Sequence, residues 1–146
     1  MKIIIKTFQE LTITELYQLL QLRSEVFVVE QDCVYQDVDG KDENALHVLG
    51  YKNNALIGYS RLFKPGNYFS KASIGRVVIK ASERKFGYGH DLIQKSIEVI
   101  ETLFKTKEIH ISAQTYLKFF YESHGFVQVG DGYLEDDIPH IKMIKN

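Results

Sequence analysis

The chain has 146 residues, of which 45% are hydrophobic and 25% are charged, and this balance predicts one globular domain over residues 1–146. The net charge of −1 argues against a protein that binds nucleic acid through a basic face. The apolar runs are too short to cross a bilayer. We therefore expect neither a nucleic-acid partner nor a membrane partner.

The cysteine content bears on the compartment. Cys33 is the single cysteine, so it cannot form an internal disulfide, and no basic stretch followed by a long apolar run stands at the N-terminus. These observations favour a cytoplasmic protein. Cys33 is interpreted as a packed thiol, because a nucleophilic thiol requires a nearby base.

The first half of the chain predicts a strand, a helix and three more strands. Residues 1–8 are rich in isoleucine, and Thr12 with Glu15 three residues later has the pattern of a capping box. Apolar residues then recur at helical spacing to about Val29. Asn53-Asn54 tolerates the positive φ angles of a tight hairpin turn. The strands are predicted at residues 45–51, 56–63 and about 72–80.

Residues 30–44 form an acidic segment without sustained periodicity. It contains six carboxylates against the single cation Lys41. No register supplies both the glycine and the glutamate that a calcium-binding EF-hand loop requires. The segment is interpreted as a solvated acidic loop, with the alternative that it lines a pocket for a cationic amine.

A basic turn with two glycines separates the strand at residues 72–80 from an amphipathic helix predicted at residues 88–104. The first amides of a helix lack backbone partners and attract phosphate oxygens. Gly87 and Gly89 allow a ligand to approach closely, and Arg84 and Lys85 add positive charge. The turn is therefore a candidate phosphate site, although it lacks the full dinucleotide and P-loop patterns. The alternative is an ordinary basic turn.

The C-terminal part completes an α/β pattern with a mixed sheet. A strand is predicted at residues 109–113 and a helix at residues 115–123, which Gly125 ends in a left-handed cap. Two closing strands are predicted at residues 126–129 and 138–144 around a loop at residues 130–137. Pro139 implies a bend or an edge position in the last strand.

Two motifs carry a resemblance to a known family. Arg84-x-x-Gly87-x-Gly89 resembles the acyl-coenzyme-A pyrophosphate loop of the GNAT N-acetyltransferases, and Tyr121-x-x-x-Gly125-Phe126 is similar to the second signature of that family. Further segments resemble its ElaA branch, so that the resemblance covers nearly the whole chain. These segments are residues 27–31, 35–40, 74–77, 113–114 and 138–141.

The resemblance implies a GNAT fold, with a central mixed, twisted sheet of about seven strands flanked by about four helices. It implies transfer of an acetyl group from acetyl-CoA to a primary amine of a small molecule or peptide, by direct attack and without a metal. The strand backbone would bind the pantetheine arm, and the amides of the turn would hold the diphosphate. The implied cofactor residues are Val77, Val78, Ile79, Arg84, Lys85, Phe86, Gly87, Tyr88, Gly89 and His90.

Tyr121 matches the residue that protonates the departing thiolate in many members of this family. A tyrosine has an unperturbed pKa near 10 and keeps its proton at neutral pH. The alternative is a core tyrosine, since Phe119 and Phe120 beside it show that this helix packs apolar surface.

The general base and the substrate contacts are less defined by the sequence. Glu30, His47, His140 or a water chain that ends on one of them is the candidate base, and histidine titrates closest to neutral pH. Gln31, Arg76 and Gln114 are the candidate substrate-binding residues. Arg76 has the alternative of a structural ion pair with the acidic segment, and Gln114 has that of helix capping.

Two other functions remain open at this point. A non-catalytic acyl-CoA-binding sensor would share the turn and differ at the substrate side, and a nucleotide could use the same turn. The sequence is compatible with a monomer or a homodimer, since the closing strands offer a surface for pairing.

Overall fold

The structure is a computed structural model that describes residues 1–146. One seven-stranded sheet runs through the molecule in the order β1-β2-β3-β4-β5-β7-β6. The strands are β1 Lys2–Thr7, β2 Leu46–Lys52, β3 Ala55–Phe63, β4 Ala72–Ile79, β5 Ile109–Gln114, β6 Val127–Glu135 and β7 Ile138–Lys145. The helices are α1 Ile13–Arg23, a π-helix at Ser24–Glu30, α2 Tyr88–Leu103 and α3 Lys118–Glu122. Short 3-10 turns occupy Asp42–Asn44, Ala81–Phe86 and Thr115–Leu117. The predicted mixed sheet of about seven strands with about four helices is confirmed.

Helix α1 begins as its sequence predicts. The Thr12 hydroxyl accepts the Glu15 amide at 3.1 Å, and the Glu15 carboxylate accepts the Thr12 amide at 2.8 Å. The helix continues to Glu30, but its last seven residues are π-helical. Apolar spacing over so short a segment does not distinguish the two hydrogen-bonding patterns. None of the helices has the length and apolar character needed to cross a membrane.

The sheet buries apolar side chains on both faces. Val48 packs in the larger cluster with α2, whereas Leu49 packs in a second cluster with α1. Successive strand residues point to opposite faces, so α1 and α2 cover opposite sides of the sheet. The Asn53-Asn54 turn has φ angles of 51° and 66°, as predicted.

The closing strands differ from the prediction. Strand β6 continues to Glu135, so most of the predicted loop at residues 130–137 is strand. Asp136 and Asp137 form the turn, with φ angles of 51° and 62°, which suits a tight hairpin. Polarity and glycine content made this segment resemble a loop in the sequence.

Pro139 does not lie on an edge strand, because β7 pairs with β5 on one side and with β6 on the other. Strand β5 ends at Gln114, which pairs with His140. Pro139 therefore extends past the end of β5, where its missing N–H breaks no ladder bond on that side.

The parallel pair of strands creates the main opening in the sheet. β4 and β5 pair only at Ala72↔Ile109 and Ser73↔His110, and all other neighbouring strands are antiparallel. From Ile74 onward, the side of β4 that faces β5 has no strand partner. A cleft begins where these two strands separate.

Candidate functional site

The cleft has a volume of about 510 Å³ and is walled by β4, the end of β5, the π-helix, the turn before α2, α3 and the β6–β7 turn. Within β4, Tyr59 pairs with Val78 and Arg61 with Gly75, so two residues of β4 lie opposite Ser60. Arg76 in this bulge has a φ of 49°. The bulge and the missing β5 partner leave β4 backbone groups open to an extended ligand.

One end of the cleft has the geometry of an anion site. Gly87 precedes α2 in the left-handed conformation with a φ of 75°, and no side chain caps the helix. A Cβ at Gly87 would meet no atom within 4 Å, so the approach is open. The His90 amide donates to the Gly87 carbonyl at 3.1 Å. The remaining amides of the first turn have no intrahelical acceptor.

The cofactor candidates divide into two groups. Those that line the cleft are Val77, Val78, Ile79, Arg84, Gly87, Gly89 and His90. Lys85, Phe86 and Tyr88 do not line it. The rings of Phe86 and Tyr88 instead lie 4.1 and 5.3 Å from the ammonium group of Lys52. Lys85 and Phe86 are exposed on the outer surface of the turn, whereas Tyr88 is partly buried and packs against the larger core cluster.

Tyr121 lies in the cleft wall on α3, with 6% of its surface exposed. Phe120 and Phe126 contact its ring edge-on, with centroid distances of 5.1 and 5.8 Å. Burial raises the pKa of its hydroxyl, and the nearby Tyr116 raises it further. Tyr121 is thus a core tyrosine that also reaches the cleft and carries its proton at neutral pH.

Glu30 and Arg84 form a two-bond ion pair at the cleft. Arg84 Nη1 lies 2.6 Å from Glu30 Oε2, and Arg84 Nη2 lies 2.9 Å from Glu30 Oε1. Arg84 Nε donates to the Ile79 carbonyl at 3.0 Å. Both oxygens of the candidate base Glu30 are therefore engaged by a cation of the turn.

His140 lines the cleft, whereas His47 does not. His140 Nδ1 lies 2.7 Å from the Ile138 carbonyl oxygen, an arrangement in which Nδ1–H donates. Its Nε2 lies 3.4 Å from Glu135 Oε2. The hydrogen bond to Ile138 therefore fixes the orientation of the His140 ring. The other ring nitrogen, Nε2, faces the Glu135 carboxylate.

His47 is fully buried away from the cleft. Its Nε2 donates to the Asp42 carbonyl at 2.9 Å, which leaves Nδ1 to accept from the Tyr59 hydroxyl at 2.7 Å. Burial lowers the pKa of His47. His47 was a candidate base because it faces opposite to Leu46 and Val48 in the strand. In the structure this orientation places it in a buried polar network and not in the cleft with Tyr121.

The three substrate candidates all line the cleft. The Gln114 side-chain amide donates to the Gln31 side-chain oxygen at 3.2 Å. Arg76 Nε lies 2.7 Å from Asp37 Oδ1, and Arg76 Nη2 lies 3.4 Å from Asp39 Oδ2. For Arg76, the ion pair with the acidic segment is therefore present in the structure.

The acidic segment is not a solvated loop at its key positions. Asp37 and Asp42 are each 6% exposed, and the fully buried Arg23 contacts both, at 2.9 and 2.7 Å. Arg61 also contacts Asp42, at 3.0 Å. An isolated carboxylate would not be buried without such partners. These arginines neutralise the Asp37 and Asp42 carboxylates, which the sequence suggested could bind a cationic amine.

The cleft also contains residues that the sequence did not single out as site candidates. Among them are Cys33, Tyr35, Ser112, Tyr116, Phe120, Glu135 and Asp136. Glu135 and Asp136 stand at the β6–β7 turn, and the glycine-rich, polar sequence before them gave no signal for a strand that ends there. The Cys33 thiol donates to the Asp136 carbonyl at 3.5 Å, and burial raises its pKa, which agrees with a packed thiol.

This fold and cleft agree with the sequence comparison. Residues 9–146 match the acetyltransferase (GNAT) domain family, and the chain belongs to that family. Within it, the chain is 42% identical to protein ElaA of Escherichia coli over 138 residues, which cover 93% of this chain and 90% of that protein. The expected ElaA-like character is confirmed.

Two crystal structures have the same architecture. An acyl-CoA N-acyltransferase from Pseudomonas aeruginosa has a TM-score of 0.94 and is 42% identical, with 100% of both chains covered. The structure of E. coli ElaA has a TM-score of 0.91 and is 39% identical, again with full coverage of both chains.

Proposed function

We propose that this protein is an acetyl-CoA-dependent N-acetyltransferase that acetylates the primary amine of a small molecule or peptide by direct transfer. The observation that carries this proposal is a single cleft with an uncapped helix end near Gly87, an unpaired strand edge along β4 and the Tyr121 side chain in its wall. Family membership and the Pseudomonas relative, described as an acyl-CoA N-acyltransferase, support it.

The residues of the cleft fit an acyl-CoA molecule. The amides at the start of α2 would hold the diphosphate, and backbone groups of Val77, Val78 and Ile79 would pair with the amides of the pantetheine arm as an added strand. The bound thioester supplies an acetyl group that is activated toward an amine.

Tyr121 serves as the proton donor to the thiolate in this proposal. Burial raises its pKa, which keeps the hydroxyl protonated at neutral pH but makes it a weaker acid. Apolar surroundings also make a thiolate more basic, which offsets this effect. The Val78 amide is the proposed donor to the carbonyl oxygen as negative charge develops there, a role that requires little reorganisation.

His140, or a water held by it, is our proposed base for the incoming amine. Its Nδ1 is fixed by the Ile138 carbonyl, so Nε2 is the nitrogen that can accept a proton. Glu30 could accept the proton only after its ion pair with Arg84 has opened, and His47 lies outside the cleft. Gln31 and Gln114 are the proposed polar contacts of the acceptor.

A thiol-release screen of amines with acetyl-CoA tests this function.

With a substrate found in that screen, Tyr121→Phe should lower kcat by about 100-fold or more, the range expected for a lost acid, with little change in CoA affinity. Tyr116→Phe is the matched control, because Tyr116 lines the same cleft and is largely exposed. Unchanged turnover in Tyr121→Phe would remove this residue from the acid role. Cofactor binding without thiol release for any amine would favour a sensor instead.

A further inference from the structure

Each of the three guanidinium nitrogens of Arg84 makes one hydrogen bond within the protein. Two guanidinium nitrogens bind the two carboxylate oxygens at 2.6 and 2.9 Å, and the third donates to the Ile79 carbonyl at 3.0 Å. The Glu30 carboxylate thus occupies the Nη1–Nη2 edge, which a phosphate group would use for two parallel hydrogen bonds. The charge that should help to hold a diphosphate is therefore already neutralised.

The position of this pair connects two walls of the cleft. Arg84 belongs to the 3-10 turn Ala81–Phe86 directly before Gly87, and Glu30 is the last residue of the π-helix. Both residues line the cleft. Their side chains are 44% and 38% exposed, so a ligand that enters from solvent can reach the pair.

We propose that Glu30 is an internal competitor of the cofactor: Arg84 exchanges the Glu30 carboxylate for the diphosphate, and Glu30 is thereby released into the cleft. This inference depends on the proposed use of acyl-CoA. A guanidinium binds phosphate oxygens in the same two-bond geometry as a carboxylate, and a diphosphate carries more negative charge than one carboxylate. The exchange therefore loses no hydrogen bonds at Arg84.

The exposure of the pair makes this exchange inexpensive. Ion pairs of this exposure stabilise a protein little, whereas the Arg23 pairs in the same molecule are buried and would be costly to open. Once released, the Glu30 carboxylate adds negative charge to the cleft only when the cofactor is present. A cationic amine would then bind after the cofactor, in an ordered sequence.

Calorimetric titration of the full chain with coenzyme A tests the competition. Glu30→Gln should bind coenzyme A about threefold to fivefold more tightly than the wild type, the range expected for the loss of an exposed pair. Pantetheine, which lacks the diphosphate, should bind both proteins equally. Glu83→Gln is the matched control, because Glu83 lies on the same turn, pairs with Lys52 at 2.9 Å and does not line the cleft. Its affinity for coenzyme A should not change.

A double-mutant cycle assigns the effect to Arg84. In an Arg84→Gln background, the additional Glu30→Gln change should leave coenzyme A affinity unaltered, because the contested cation is absent. Equal or weaker binding by Glu30→Gln would overturn the inference, and weaker binding would mean that Glu30 positions Arg84 for the cofactor. A wild-type chain that does not bind coenzyme A would instead refute the proposed function, and the inference with it.

Discussion

The molecule contains two sets of arginine–carboxylate pairs that differ in their surroundings. One set is buried between α1, β3 and the acidic segment, where Arg23 and Arg61 share Asp42. The other is the Glu30–Arg84 pair at the cleft, with both side chains more than one third exposed. The same chemical groups therefore have different consequences. The buried set fixes the acidic segment in place, whereas the exposed pair can open when a ligand arrives.

The buried set also reaches the cleft, through Arg76. This arginine contacts Asp37 and Asp39 and lines the cleft at the β4 bulge. Asp37 in turn contacts the fully buried Arg23. The acidic segment thus supports the β4 wall of the cleft through Arg76. Stability measurements can separate this buried support from the exposed Glu30–Arg84 pair.

The largest effect is expected for Asp42→Asn. This change removes a negative charge between two buried arginines, and breaking a buried pair typically costs about 3–5 kcal/mol of unfolding free energy. Urea denaturation of the purified chain measures this loss. A change below about 1 kcal/mol, the value typical of exposed pairs, would show that the network is not a rigid support.

A smaller effect is expected from acid titration of Asp39. Burial alone would raise the pKa of Asp39, but the hydrogen bonds and charge of Arg61 lower it to about 2 from the model-peptide value of 3.8. The folded state thus favours the ionised form, so its stabilisation is present above pH 4 and is lost as the pH falls toward 2. With allowance for solvent screening, we expect a loss of about 1–2 kcal/mol.

The comparison of wild type with Asp39→Asn across this pH range isolates that contribution. The variant should be less stable than the wild type at pH 5, and the difference should narrow as the pH approaches 2. Parallel stability curves for the two proteins would contradict the assignment.

A third effect, smaller again, is expected from His47 at a higher pH. Burial lowers the pKa of His47 below its ordinary value near 6.5, so folding favours the neutral ring. This stabilisation is present above pH 6.5 and is lost as the pH falls through the lowered pKa. Thermal unfolding between pH 7 and pH 5 should show a decline in wild type that His47→Gln reduces. His124→Gln is the control, since burial also lowers the pKa of His124 but this residue is partly exposed; it should retain most of the decline.

The smallest stability effect is expected for the exposed pair. Glu30→Gln should change the free energy of unfolding by less than about 1 kcal/mol, and high salt should reduce even that difference by screening. Urea denaturation at low and high salt measures both quantities. A loss as large as that in Asp42→Asn would mean that the pair at the cleft is structural.

Local sequence signals were reliable where a few neighbouring residues determine the geometry. Thr12 and Glu15 form the capping box that their spacing predicts, and the Asn53-Asn54 turn has the predicted positive φ angles. Gly125 adopts a φ of 91° as a left-handed cap. At the other extreme, the end of β6 was missed because its pairing with β7 outweighs the local signal for a loop.

The candidate site was predicted in part. Tyr121, His140 and the glycine turn reach one cleft, although the chain gives no local sign that strand separation brings them together. His47 was a plausible base by sequence, but its partners Tyr59 and Asp42 come from a different strand and from the acidic segment. Contacts of this kind depend on the fold.

The sequence by itself determined the order of the helices and strands, the glycine turn before α2 and the family resemblance, because each depends on residues close together in the chain. Tertiary structure alone decided which carboxylates form buried ion pairs and which remain accessible to a ligand. Asp37 and Asp42 meet Arg23 and Arg61 in the interior, whereas Glu30 meets Arg84 at the surface. Burial and partner distance set the strength of such a pair, and both quantities exist only once distant segments have packed together.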